Sequence, residues 1–241
     1  MKFFASRNFK EMLRDPLVVL FGLGFPVILL LLLSAIQHNI PVELFEISNL
    51  APGITIFGLS FISLFSATII SKDRGSSFLQ RLYTTPMTAF DFLLGYILPV
   101  IPIAVIQSTV CYLVAVFLGL DITINIFFAI LAITVISLLF IAIGLLCGSL
   151  LNDKQVGSIC GALLTNLCAW LSGVWFDLSL VGGAFEKIAH MLPFYHAVKI
   201  EQIIINGNLE GILTHISWVI GYTVVVFCLA VYFFIRQMKK Y

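Results

Sequence analysis

Residues 71–91 read SKDRGSSFLQRLYTTPMTAFD and interrupt a chain whose other long stretches are largely apolar. Immediately before them lies PGITIFGLSFISLFSATII (52–70), and immediately after them FLLGYILPVIPIAVIQSTVCYLVAVFL (92–118). A bilayer core of about 30 Å is crossed by ~20 mostly apolar residues in a helix, so both flanks are long enough to span it. Reading outward on the same criterion predicts six spans, at 17–36, 52–70, 92–118, 126–151, 156–175 and 212–235. The composition agrees: of 241 residues, 61% are hydrophobic and only 10% charged, with a mean hydropathy of +1.11. A soluble domain carries about 25% charged residues, so the predicted fold is an all-α polytopic membrane protein in one transmembrane unit, 1–241.

Six spans put both termini on one side of the membrane. That side would hold Lys2, Arg7, Lys10, Arg14, Lys72, Arg74, Arg81, Lys154, Arg236, Lys239 and Lys240, and the other only Lys187 and Lys199. The basic residues of short loops stay in the cytoplasm, so both termini and 71–91 are expected there. Residues 1–16 alternate Phe3, Phe4, Phe9, Met12 and Leu13 with Lys2, Arg7, Lys10 and Arg14. This pattern predicts an amphipathic helix in the cytoplasmic interface, the alternative being a disordered basic tail. No cleavable signal peptide is expected, because the first apolar run starts at Leu17, is too long and lacks a small-residue cleavage site.

No Asp, Glu, Lys or Arg falls near the middle of a predicted span, which weighs against a proton- or sodium-coupled carrier and against a voltage sensor. GxxxxGK[ST], HExxH and GxSxG are absent, so no catalytic residue, cofactor or metal is assigned, and the chain is not expected to be an enzyme. His38, His190, His196 and His215 lie in or beside outer loops without ligand spacing. Cys111, Cys147, Cys160, Cys168 and Cys228 fall inside spans and read as small packing residues. Energy for any transport would have to come from another polypeptide. The polar side chains within spans are neutral. Ser60 and Ser63 share a face of the second span, and Asn166 shares a face of the fifth with Trp170. Such groups ordinarily pack helices together; the functional alternative is that these four line a path or face a dimer partner.

Within 71–91, Phe78, Leu79, Leu82 and Tyr83 recur at helical spacing, with Gln80 and Arg81 on the polar side. Ser76 or Ser77 can cap a helix start, and Thr84-Thr85-Pro86 ends it, since the residue before proline avoids the helical region. A short amphipathic cytoplasmic helix is predicted. Here the chain resembles the ABC-2 type permease subunits of ATP-binding cassette exporters. The resemblance is carried by Lys72-Asp73-Arg74-Gly75, Phe78-Leu79-x-Arg81-Leu82, Thr85-Pro86 and Leu93-Leu94-Gly95. A second block follows the fifth span: Leu171-Ser172-Gly173-Val174-Trp175-Phe176, Ile188-Ala189 and Leu192-Pro193-Phe194-Tyr195-His196-Ala197-Val198. Two departures stand beside it, Asp177 where many members carry proline and Gly182-Gly183 where Leu-Pro is common.

The resemblance implies a compact half-transporter, placed in the cell inner (plasma) membrane. Two permease chains would pair, as a homodimer or a heterodimer, and two separate cytoplasmic ABC ATPase subunits would hold the ATP and Mg. It implies that 71–91 is the coupling helix, with Lys72, Asp73, Arg74, Gly75, Phe78, Leu79, Arg81, Leu82 and Pro86 meeting the ATPase; the alternative is an ordinary basic loop. It also associates the outer block with re-entrant or amphipathic helices. Residues 176–210 are too apolar for a free loop and too charged for a span, which suits a re-entrant or interfacial segment. Gly173, Phe176, Pro193 and Tyr195 are its candidate outer-gate residues, a structural cap on the dimer being the alternative. Besides an efflux permease, the sequence admits a membrane anchor or assembly factor that recruits a cytoplasmic protein without transport. A lipid-modifying membrane enzyme is disfavoured by the lack of an interior His, Asp or Lys cluster. Partners are thus a second permease chain, two ATPases and the bilayer, with no nucleic acid; the cargo is not legible.

Overall fold

The computed structural model describes residues 2–39, 45–76, 78 and 88–238. Among these every regular element is a helix, as the hydropathy pattern requires of a chain that must satisfy its backbone inside lipid. In order they are α1 (Lys2–Arg14), α2 (Pro16–His38), α3 (Ile47–Gly75), α4 (Ala89–Ile97), α5 (Val100–Phe117) and α6 (Ile124–Leu150). There follow α7 (153–171), a 3-10 turn at Leu178–Leu180, α8 (Gly183–Met191), α9 (Pro193–Asn206) and α10 (Ile212–Met238). Local chemistry sets several boundaries. The Asp15 side chain accepts from the Leu17 N–H (2.9 Å) with Pro16 at the first helical position, which starts α2. Reciprocal capping boxes start α4 (Thr88 with Asp91) and α7 (Asn152 with Gln155). Gly207, at φ +72°, takes the left-handed turn that ends α9. Pro99 divides the predicted third span into α4 and α5, because it supplies no N–H to the helical ladder.

Among the described residues, five helices are long and apolar enough to cross a membrane: α2, α3, the α4–α5 pair from Phe90 to Phe117, α6 and α10. The predicted fifth span corresponds to α7, which is helical but contains a π-helical stretch at Gly157–Leu164 and is not among those five. α3 is the axis of the bundle, with 89% of its apolar window buried by other helices, against 28% for α2 and 17% for α10. Those two outer helices therefore present most of their side chains to surroundings outside the chain.

The sequence reading did not single out the contact between α3 and α6. Gly144 and Gly148, four residues apart, lie against α3 so closely that a Cβ on Gly144 would stand 2.6 Å from the Ser63 carbonyl oxygen. One on Gly148 would stand 2.8 Å from the Ala67 carbonyl oxygen. Lipid tails solvate leucine as well as another helix does, so close backbone approach through glycine is what gives such a pair its dispersion energy. Ser63 and Ser60 belong to this interior. Both are fully buried, and the Ser60 hydroxyl donates to the Phe57 carbonyl (2.7 Å) within its own helix.

The ends of the bundle are distinct. Phe4 packs on Tyr96 (5.0 Å), Tyr96 lies near Phe234 (6.3 Å), and Arg74 reaches the end of α6. Chain near both termini thus gathers at one end, with the close of α3. At the opposite end α8 and α9 sit across the start of α3 and α10, tied by Gln202 to the Asn49 carbonyl (3.3 Å) and by His196 to His215.

Candidate functional site

At the basic end, α3 runs through Gly75, more than a turn beyond the predicted limit at Ile70, so Lys72, Asp73 and Arg74 form its last turn. Two of these side chains point inward. Asp73 is 3% exposed; its Oδ2 accepts from Arg7 Nη1 (2.7 Å) and from the Tyr96 hydroxyl (3.0 Å). Arg74 donates to the carbonyls of Ser149 and Leu151, which α6 leaves unpaired at its C-terminus. Arg7 also pairs with Glu11 (2.7 Å) and lies over the Phe78 ring (4.3 Å). α1 is fixed beside them by a buried stripe of Phe4, Asn8 and Met12. Asn8 Nδ2 donates to the Gly95 carbonyl (2.9 Å), and a Cβ at Gly95 would fall 2.2 Å from the Phe4 ring. The apolar side of α1 thus meets protein at Phe4 and Met12, while Phe3 stays exposed. Lys72 and Gly75 are exposed, and a Cβ on Gly75 would meet no atom of the described residues within 4 Å. Leu79, Arg81, Leu82 and Pro86 lie outside the described residues.

Midway along the bundle is an aromatic cavity of ≈660 Å³ between α2, α3 and α7. Phe21, Phe25, Phe57 and Phe61 form its wall with ring centroids 5.6–6.3 Å apart, and Trp175 closes edge-on to Phe57 (6.1 Å). Across from them α7 contributes Thr165, Asn166 and Trp170. Asn166 and Trp170 are exposed, and Asn166 Nδ2 donates to the Ala162 carbonyl (2.7 Å). Ser60 and Ser63 do not join them, being enclosed among the helices of this chain. π-helical turns at Leu20–Gly24 and Gly157–Leu164 lie in the helices on either side of the cavity; such turns widen a helix and rotate its face.

At the opposite end a second cavity, ≈570 Å³, lies between the start of α3, the turn after α7, α8 and α9. Asp177, Glu186, Lys199 and Gln202 line it, with Gly173 and Tyr195. The Ser179 N–H, donating to Asp177 (3.0 Å), holds that carboxyl below its ordinary range. Phe176 borders both cavities and contacts Trp170 (6.1 Å) and Phe185 (6.2 Å), so its ring stands between the two spaces. Tyr195 packs against His190 (4.4 Å), while Pro193 is buried at the first turn of α9. Three of the four predicted gate residues, Gly173, Phe176 and Tyr195, therefore line one cavity, and Pro193 sets the helix that carries Tyr195. Behind them, His196 Nε2 donates to the His190 carbonyl (2.9 Å), which leaves its Nδ1 to accept from His215 Nδ1 (2.7 Å) in the neutral pair.

Glu201 is a residue that sequence reasoning passed over. It is fully buried, and its Oε2 accepts the Tyr112 hydroxyl of α5 at 2.6 Å. The available signal was its position on one face with Phe194, Ala197, Val198 and Ile204, which a helical period applied to 193–206 would have revealed. Gln107, from the same helix as Tyr112, donates to the Thr55 carbonyl (3.2 Å).

The sequence profile of the ABC-2 type transporter family matches residues 1–205. Two proteins called Nodulation protein J are similar to the chain at 23% identity. The one from Sinorhizobium fredii (strain NBRC 101917 / NGR234) aligns over 220 residues, 91% of this chain and 82% of its own length. The one from Rhizobium meliloti (strain 1021) aligns over 222 residues, 90% and 82%.

Proposed function

The chain belongs to the ABC-2 type transporter family, and on that premise we propose that it is the membrane half of an ATP-driven exporter. Two such chains form the path, and two separate ATPases act on it through residues 71–91. The observation that carries this reading is the wiring of the α3 terminus. Asp73 and Arg74 tie that last turn to α1, α4 and α6 at once, so displacement of the segment that follows is passed to the bundle as a unit. Lys72 and Gly75 remain outward for a docked partner, with Arg81 and Leu82 as the next contacts. In this reading the basic end faces the cytoplasm, α7 is a sixth crossing, and both termini are inside. The aromatic cavity, with exposed Trp170 on its rim, opens toward the second chain and forms the wall of the path. Phe176 and Tyr195 close it on the outside. Paired as a dimer, α2 and α7 would cover one another's exposed apolar faces.

Docking makes a specific prediction. A Gly75→Trp side chain meets no atom of the described residues near its Cβ, so the fold and melting temperature should stay unchanged. Transport, and stimulation of the partner ATPase by this chain, should fall at least ten-fold, because the indole occupies the docking surface. Arg81→Glu should do the same by charge reversal. Purification with the ATPase, followed by mass determination and turnover assays, checks both; two variants that transport at the normal rate would remove 71–91 as the coupling element.

A further inference from the structure

Glu201 presents a problem of charge. It stands on α9, packed against α3, α6 and α10, with Tyr112 of α5 bonded to its Oε2. Its Oε1 has no partner among the described residues. Among the described residues no cation compensates it, and the part of α7 that touches α9 brings only Cys168. α3 carries charge only at Lys72, Asp73 and Arg74, at the far end, and α6 has no Asp, Glu, Lys, Arg or His. α10 offers His215, engaged with His196, Tyr222, whose hydroxyl donates to the Met191 carbonyl, and beyond them Cys228, Tyr232 and Arg236. On α9 itself Lys199 lies by the Tyr195 ring, and from α8 Glu186 and His190 line the outer cavity. α5 brings only Tyr112, with Cys111 beside it in sequence. An ionised carboxylate in such a place has one hydrogen bond to offset a desolvation cost of several kcal/mol.

We propose that Glu201 is a proton-binding site: the carboxyl holds a proton while α9 is packed on α5, and releases it to outer water when the outer helices move away during transport. The Glu201 O–H bond breaks on opening, the proton passes to solvent, and the carboxylate takes a proton back before α9 packs again. The site itself stands on the buried geometry; the release step rests on the exporter reading.

Burial pushes the Glu201 carboxyl up to about 8, with the Tyr112 hydroxyl opposing it. The packed state then binds the proton more tightly than the opened state, whose glutamate has an ordinary pKa near ~4.3. Packing is fully favoured below that ordinary value, weakens as pH rises through the window, and is level above about 8. The packed-to-open ratio changes by up to about ten-fold per pH unit inside the window.

The test is an infrared pH titration of the full chain in lipid nanodiscs, following the carbonyl band of protonated carboxylic acid. A band is expected that disappears with a midpoint near 8 and is missing from Glu201→Gln, whose amide keeps the volume and can still accept from Tyr112. Tyr112→Phe should raise the midpoint, since it removes a donor that favours the charged form. A midpoint in the ordinary carboxylate range, or a band that survives in Glu201→Gln, overturns the site. With the ATPase bound and trapped by vanadate after ATP, the band should be lost in the parent protein. A band that persists while ATP-driven transport proceeds overturns the release step. Absence of ATP-driven transport with the titration intact refutes the exporter reading instead, and leaves the proton site supported.

Discussion

Gly148→Leu is expected to abolish recovery of the folded chain from detergent, and Gly148→Ala to lower its stability by about 2 kcal/mol. The reason is that the obstruction is backbone. A Cβ there would stand 2.8 Å from the Ala67 carbonyl oxygen and 3.0 Å from the Ala67 Cα, neither of which can rotate aside. At Gly144, one helical turn away, the Ser63 carbonyl stands equally close, so α6 cannot tilt to relieve one position without tightening the other. Relief requires α3 and α6 to separate, which forfeits many atom pairs, each with a dispersion energy of ~0.1–0.2 kcal/mol. The internal controls are other glycines. A Cβ on Gly161 meets only Leu64 side-chain methyls at 3.4 Å or more, and one on Gly221 meets nothing within 4 Å. Gly161→Ala and Gly221→Ala should therefore elute and melt like the parent in fluorescence-detected size exclusion. Normal melting of Gly148→Leu would show that α3 and α6 are not packed this closely.

Asp73→Ala carries the second large effect. It strips partners from Arg7 and Tyr96 together and leaves the Tyr96 hydroxyl, on a fully buried residue, without its Asp73 acceptor. Breaking a buried ion pair costs about 3–5 kcal/mol. The Arg7 side chain is 36% exposed and keeps Glu11, so solvent screening reduces the figure to about 2 kcal/mol. The distinctive outcome is local. α1 should loosen, making the bonds after Lys10 and Arg14 cleavable by trypsin at a rate at least ten-fold above the parent, while the rest of the chain remains intact. Asp73→Asn should be intermediate, since an amide oxygen accepts one of the two hydrogen bonds without charge. If Asp73→Ala resists trypsin as the parent does, α1 is anchored by Phe4, Asn8 and Met12 alone. Because α1 and the last turn of α3 share this carboxylate, the same variant should also weaken coupling to the ATPase under the proposed function.

Particular residues show how far the pattern of the chain could be followed. The N-terminal helix was legible from its alternation of aromatic and basic residues. Which face it buries was not, because that depends on the notch at Gly95, eighty-odd residues away in sequence. Asp73 and Arg74 were assigned to docking through the family resemblance of their motif, which says nothing of where each side chain points. Their inward partners, Arg7, Tyr96 and the end of α6, become neighbours only when four helices assemble. Asn166 and Trp170 share one face of α7, and the aromatic wall opposite them was not anticipated, since its rings come from two other helices. The grouping of Gly173, Phe176 and Tyr195 around one cavity followed from a shared outer segment. Glu201 was missed for a similar reason: a carboxylate in a short amphipathic stretch looks solvated until its helix is folded back into the bundle.

Hydropathy by itself marked this chain as a membrane protein, located its long helices to within about five residues at each end, and showed that one polar stretch interrupts them. Transfer of apolar side chains out of water is additive along the sequence, so a local sum is sufficient to read it. Only the tertiary structure decided which helix forms the axis, that glycines hold α3 to α6, that Asp73 is a clamp, and that Glu201 is buried. Those outcomes depend on pairs of atoms brought within about 3 Å from distant parts of the chain, and no sum over neighbouring residues contains them.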